Sequence, residues 1–333
     1  MISGFALAGA CPLPPRRLPA LHLDLLTFLP DREWAWALLL GVAADVLLGE
    51  PRRWHPLVGF GRLASAIDRR FNGGRRWQGV LAWLGLVGAL AALYGGARWL
   101  LPQAARWMAD GAALWFALGA RSLQEHVWPV RQALVQGDLA SARAAVQRIV
   151  TRDCTSLDAS EVAAAAVEST LENGNDAVFG SLFWFAVGGG LGALVFRLAN
   201  TLDAMWGYRT ERYLCFGWAA ARADDLLNWL PARLTALSYA GLGYTRLALW
   251  CWRHQAPRWD SPNAGPVMAA GAGALGLKLG GPARYHGRTE TRPVLGAGRL
   301  PHSGDVGRAL ALVASALLMW LVVLTVLHVG LTR

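Results

Sequence analysis

The chain of 333 residues contains a single lysine, Lys278, so 31 of its 32 basic residues are arginine. Charged residues make up only 16% of it, against about 25% in an ordinary soluble domain. The four cysteines, Cys11, Cys154, Cys215 and Cys251, lie far apart and form no CxxC, so neither a thiolate metal site nor a disulfide framework is indicated. No GxxxxGK[ST], GxSxG or HExxH occurs, which excludes a P-loop, a hydrolase nucleophile elbow and a zinc helix. No internal repeat of the kind inverted-repeat transporters carry is visible. Prolines crowd Arg16 and Arg17 and no small-residue cleavage site follows an apolar core, so no signal peptide is expected.

What the chain has in quantity is apolar surface: 54% hydrophobic residues, 17 tryptophans and a mean hydropathy of +0.31. This predicts an all-α, multi-pass integral membrane protein with about four to six membrane helices. Five apolar stretches stand out: Trp34 to Leu48, Gly79 to Leu101, Val178 to Ala199, Leu230 to Trp252 and Ala309 to Val329. Trp107 to Ala120 is short and carries Asp110, so it is expected to be amphipathic or interfacial. Residues 1–30 read as a proline-rich tail and 31–333 as one membrane domain.

The net charge of +10 is read as a positive-inside signal, with the arginine-rich segment Glu50 to Gln78 on the cytoplasmic side. Nucleic acid is not an expected partner, because the arginines are scattered and not interleaved with aromatics.

"ESTLENGNDAVFG" places Glu168, Glu172 and Asp176 at steps of four. On a helix these form one acidic stripe, and the repulsion between them calls for positive charge opposite. If each apolar stretch crosses once, the polar segments around Asp45 to His55, Glu168 to Asp176, Asn200 to Asp225 and Ser261 to Gly287 alternate between the two sides of the membrane. The third stretch offers two readings at Gly188, Gly189, Gly190 and Gly192: a broken, re-entrant hairpin that returns to the same side, or ordinary glycine-mediated helix packing.

Each polar residue also has a structural reading. Asp45 can end a helix, His55 can be a hydrogen-bonded structural histidine, and Asp224 and Asp225 can pair with Arg222 and Arg233 in a solvated network. Acidic residues beside membrane spans are nevertheless costly unless paired, wet or metal-bound. Here Glu168, Glu172, Asp176, Asp203, Asp224 and Asp225 crowd both ends of one apolar run. That pattern suits Mg²⁺ and phosphate chemistry at a membrane surface, with Arg152, Arg209 and Arg222 as candidate phosphate clamps.

Five runs in order, "DVLLGEPRRWHPLVGFG", "IVTRDCTSLD", "ESTLENGNDAVFG", "NTLDAMWGYRTERYLCFGWAAARADDLLNWLPARL" and "SPNAGPVMAAGAGALGLKLGG", resemble the CobD/CbiB family of cobalamin biosynthesis over residues 35 to 330. Where that family often continues its acidic motif with Gly and then Pro, this chain has Ala177 and Gly180. The resemblance implies a multi-pass protein of the inner cell membrane with adenosylcobinamide-phosphate synthase activity. Such an enzyme joins (R)-1-aminopropan-2-ol or its O-phosphate to the f-side-chain carboxylate of adenosylcobyric acid, with ATP and Mg²⁺. Other late corrinoid-pathway enzymes are implied as partners, besides the lipid bilayer.

Carried onto this sequence, the expected metal ligands are Glu168, Glu172, Asp203, Asp224 and Asp225. The expected ATP-site residues are Arg152, Asn173, Asn200, Arg222 and Asn263, and the expected catalytic residues are His55, Asp203 and Glu172. Two other readings stand beside this one. An intramembrane prenyl- or alcohol-phosphotransferase would need a prenyl diphosphate and no ATP, and a corrinoid transporter or scaffold would move its ligand unchanged.

Overall fold

The computed structural model describes residues 32–51, 56–285 and 288–331. Within them the protein is all-α apart from two short antiparallel pairs of strands. The helices are α1 (Arg32–Leu48), α2 (Pro56–Phe71), α3 (Arg76–Leu100), α4 (Gln103–Ala117), α5 (Ala120–Val135), α6 (Leu139–Val146), α7 (Ala159–Gly174), α8 (Gly180–Trp206), α9 (Trp218–Gly241), α10 (Thr245–Gln255), α11 (Ala264–Leu275) and α12 (Ser303–Leu331). Between α11 and α12, β1 (Lys278–Gly280) pairs with β4 (Val294–Gly296), and β2 (Ala283–Tyr285) with β3 (Arg288–Glu290).

Among the described residues, three helical segments are long and apolar enough to cross a membrane: Arg76–Leu100, Ala159–Trp206 and Ser303–Gly330. α3 and α12 expose rows of large apolar side chains, among them Leu81, Leu84, Leu93, Leu318, Val322 and Val326, as helices facing lipid do. Two of the apolar stretches fall outside this set. α1 has only 17 residues, and Leu230 to Trp252 is interrupted at residues 242–244 between α9 and α10.

The middle segment is not one straight crossing. At Gly188 (φ −130°, ψ 18°) and Gly189 (φ 60°, ψ −152°) the chain leaves helical geometry, and the second of these conformations is one that only glycine adopts without strain. The two arms then lie side by side: a Cβ at Gly180 would collide with the Phe196 ring, and one at Gly192 with the Trp184 carbonyl. Small residues at these points let the backbones approach, and close packing is the main adhesive between helices in lipid. Of the two readings of the glycine run, the broken hairpin is the one the fold adopts.

The hairpin tip is held by a polar clasp. Asp110 of α4 accepts from Tyr94 Oη at 2.6 Å, from Arg98 Nε and Nη2 at 2.9 Å, and from the Gly190 amide at 3.3 Å. Most of Trp107 to Ala120, read as amphipathic or interfacial, forms α4, which packs between α1 and α8 with Leu114 and Ala117 fully buried. The paired charge of Asp110 is what allows it to lie there.

Asp158 caps α7 in a reciprocal capping box with Glu161, and the break at Gly137 and Asp138 separates α5 from α6, whose first turn Asp138 caps. One hydrophobic core joins most of the helices around α7 and α11, and a smaller one gathers Phe60, Leu86, Leu202, Trp206 and Phe216.

Candidate active site

Because α8 doubles back, its two ends meet. Asp176, at the start of a π-helical turn over Asn175–Phe179, lies within Coulombic reach of Asp203 near the end of the returning arm, of Asp224 on α9 and of Glu172. A π turn inserts extra backbone and re-aims side chains, and such turns recur at functional sites. From Asp176 to the tip at Gly188 is twelve residues, or about 18 Å at helical rise. The carboxylates thus gather at the open end of the hairpin.

A hydrogen-bonded chain fixes this end. Thr235 Oγ1 donates to Asn175 Oδ1 at 3.0 Å, and Asn175 Nδ2 donates to Asp176 at 2.9 Å and to Asn228 Oδ1 at 2.8 Å. Asn228 Nδ2 then donates to both oxygens of Asp224 at 3.1 Å, and Asn200 Nδ2 to Oδ1 at 3.2 Å. A buried network is worth its desolvation cost only when every member is satisfied, and this one is, so it positions Asp224 rigidly. Asp203, by contrast, makes no side-chain hydrogen bond or ion pair among the described residues, and its charged neighbours are Asp176, Asp224 and Asp225. Asp203, Asp224 and Asp225 are all half-buried, so they face an opening and not a sealed core.

Positive charge stands around this acidic group, as the stripe demanded. Arg222 pairs with Asp225 at 3.4 Å, and Arg209 lies nearby. Arg197, the one charge inside the apolar run "GALVFRLAN", reaches Glu50 at 3.6 Å and lies close to Asp176. At the other end of the stripe, Glu168 is held by Arg152 at 3.3 Å, Arg292 at 3.2 Å and the Gly280 amide at 2.8 Å. Glu172 sits between the two ends, near Glu168 and Arg292.

The fold thus brings together Glu172, Asn200, Asp203, Arg222, Asp224 and Asp225 from the expected set. Glu168 and Arg152 are paired with each other. Asn263 is spent on structure: it accepts from Arg233 at 2.8 Å and donates to the Asp225 carbonyl at 2.9 Å, fixing the start of α11 to α9. Asn173 faces a separate cavity, and His55 lies outside the described residues. Among the described residues no three His, Cys, Asp or Glu side chains form a ready-made metal cage.

Sequence reading passed over Asn175 and Arg197 as site residues, and singled out Asn228 without giving it a role. Asn228 lies four residues after Asp224, a helix-face signal, and Arg197 is a charge within an apolar run, which is itself a functional flag. For Asn175 the only sequence signal is its place between Asn173 and Asp176.

On α9, outside the three candidate spans, burial pushes Asp224 and Asp225 above the usual carboxylate range. For Asp224, hydrogen bonds from Asn228 and Asn200 offset this and the Asp225 charge adds to it; for Asp225, Arg222 and Arg209 offset it. A raised folded-state value means that the native protein binds the proton more tightly than the unfolded chain does. The associated stability is present in acid and lost as pH rises from the ordinary carboxylate range through the raised values. The melting temperature without divalent cations is expected to fall across that window and to recover when Mg²⁺ is added. A flat profile, insensitive to Mg²⁺, would show that the cluster neither titrates nor binds.

A sequence profile described as "CobD/Cbib protein" matches residues 38–313. The chain is 57% identical over 290 residues, 84% of its length and 93% of the relative's, to "Cobalamin biosynthesis protein CobD" of Stutzerimonas stutzeri strain A1501. It is 54% identical over 293 residues to the protein of the same description from Chromobacterium violaceum, covering 85% of this chain and 94% of that one. With the Mycobacterium tuberculosis protein so described, identity is 42% over 284 residues, 84% of this chain and 90% of the relative. No solved structure matches.

Proposed function

Because the chain belongs to the CobD/CbiB family of cobalamin biosynthesis proteins, we propose that it is an adenosylcobinamide-phosphate synthase, a multi-pass enzyme of the inner cell membrane that forms an amide bond with ATP and Mg²⁺. Its substrates on this reading are adenosylcobyric acid and (R)-1-aminopropan-2-ol or its O-phosphate. The observation that carries the reading is the hairpin, which sets Asp176, Asn200 and Asp203 against Asp224 and Asp225 at one half-open end.

Amide formation requires the carboxylate oxygen to become a leaving group. Transfer of the terminal phosphoryl of ATP to that oxygen releases ADP, and attack by the neutral amine then expels phosphate, which takes up the proton the nitrogen loses, so atoms and charge balance. This is work done mainly by positioning and charge neutralisation.

Mg²⁺ fits the donor set, because it is normally held by one or two carboxylates and completed by phosphate oxygens. Asp203 and Asp225 carry oxygens open to such an ion, and the mutual repulsion of Asp203, Asp224 and Asp225 is what a divalent cation would relieve. When bound, it would neutralise charge on the phosphoryl oxygens. Asn200 and Asn228 hold Asp224 in place, and Arg222 and Arg209 line the rim as donors to phosphate.

The direct test mixes the purified protein in nanodiscs with adenosylcobyric acid, aminopropanol phosphate and Mg-ATP, and follows the amide product by mass spectrometry. Product that requires ATP supports the synthase reading. Corrinoid binding without product, under conditions where the protein is folded, removes it.

A further inference from the structure

α2 lies across the ends of α3 and α8 and not alongside them. Gly61 sits against Met205 in the last turn of the returning arm, whose Sδ is 3.6 Å from where a Cβ would stand. Further along, Asp68 accepts from Arg212 at 2.7 Å and from Tyr213 Oη at 3.1 Å, and Asn72 Nδ2 donates to the Arg212 carbonyl at 3.3 Å. The loop that carries Arg212 and Tyr213 continues from α8, and its Phe216 carbonyl abuts Gly79 in the first turn of α3. The whole of α2 thus stays at one level, where α3 begins and the hairpin opens.

The inner face of α2 is ordinary core: Phe60, Ala64 and Asp68 are buried. The opposite face, set by helical spacing, carries Val58, Arg62, Leu63, Arg69 and Arg70, all exposed. Arg75 and Arg76 extend it into α3, and Trp77 beside them is exposed as well. From Pro56 to Val80 the only acid is Asp68, which is buried against Arg212, so the exposed arginines of this stretch have no acidic partner within it. The side chains of Arg62, Arg69, Arg70 and Arg75 make no hydrogen bond or ion pair among the described residues, and the Arg76 guanidinium lies over the Trp218 ring at 5.4 Å.

Water alone and hydrocarbon alone both suit this face badly. Val58, Leu63 and, at the helix end, Phe71 leave about half or more of their surface uncovered. Unpaired guanidinium groups, for their part, are costly in hydrocarbon. The headgroup layer of a bilayer suits both, since apolar side chains reach the acyl boundary while arginine stems carry their charge out to phosphate. Continuity points to the same occupant: α2 leads through residues 72–75 into α3, a candidate span whose entry is marked by the exposed Trp77. Basic clusters beside a span are attracted to negatively charged lipid, and guanidinium pairs with phosphate in a fixed geometry.

We infer that α2 is an in-plane anchor that selects anionic phospholipids, with Arg62, Arg69 and Arg70 on the headgroup phosphates and Val58 and Leu63 in the acyl boundary. The anchor borders the Asp203 end of the hairpin and holds that opening at the headgroup layer, whatever reaction the carboxylate cluster performs.

The test titrates the full-length protein in nonionic detergent with phosphatidylglycerol or phosphatidylcholine and follows bound lipid by native mass spectrometry. Phosphatidylglycerol is expected to bind more tightly. Arg69→Gln/Arg70→Gln should weaken it by about fivefold per arginine, the share of one basic residue near an anionic surface, and leave phosphatidylcholine unchanged. Val58→Ser/Leu63→Ser should weaken both lipids. Arg284→Gln/Arg288→Gln removes the same charge from exposed positions on β2 and β3 and should change neither.

Equal affinity for the two lipids in the parent overturns the assignment. So does an equal loss in the two arginine pairs, which would make the preference one of net charge alone. Displacement of phosphatidylglycerol by inorganic phosphate at equal concentration would make this a site for free phosphate and refute the anchor. Because Arg69 and Arg70 are exposed, the melting temperature of their double variant should match the parent's, and a fall parallel to the lost affinity would make their role structural.

Discussion

Asp203→Asn protein is expected to insert and fold like the parent while turnover falls by about 10²–10³-fold or more, the scale set by losing one preorganised electrostatic group at a reacting centre. The substitution is close to isosteric, and Asp203 makes no side-chain hydrogen bond or ion pair among the described residues, so no partner is stranded. What changes is the charge facing Asp224 and Asp225. Removing one of three like charges relieves repulsion, so the melting temperature without Mg²⁺ should hold or rise as activity is lost, the usual sign of a group kept for function at the expense of stability. Mg²⁺ should then raise the melting temperature less than it does in the parent. Near-normal turnover would remove Asp203 from the site, and a fall in melting temperature parallel to the loss of turnover would make its role structural.

Asp110→Ala is expected to be the most damaging change far from the cluster. It strips the partner from Arg98, Tyr94 and the Gly190 amide at once, and breaking a buried charge pair on one side costs about 3–5 kcal/mol. Since Arg98 is partly exposed, the lower end of that range applies. The tip lies about 18 Å from Asp176, yet activity should fall, because the hairpin is what brings Asp176 and Asp203 together. A thermal-unfolding cycle with Arg98→Ala separates the pair from its parts: the double variant should be no less stable than Asp110→Ala alone. Parent-like stability and turnover in Asp110→Ala would show that the hairpin holds without its clasp.

Local interactions were legible in the sequence because they depend on residues a few positions apart. The four-residue spacing of Glu168, Glu172 and Asp176 placed them on one face. The need for positive charge opposite the stripe was also legible, though not its source. Arg152, Arg197 and Arg292 come from distant segments and are brought in by packing. The choice between a hairpin and plain helix packing at the glycine run stayed open for the same reason. Both readings satisfy the local backbone, and only the contacts of Gly180 with Phe196 and of Asp110 with Gly190 separate them.

The sequence by itself therefore determined an apolar, helical chain, its family and a set of acidic and asparagine residues beside one apolar run. Tertiary structure decided which of them work together. It joined Asp176, Asn200, Asp203 and Asp224, gave Glu168 and Arg152 to each other, and spent Asn263 on fixing α11. The physical reason is that composition and periodicity record which groups are costly to bury, whereas the partner that offsets each cost is chosen by where the chain turns back, here at Gly188 and Gly189.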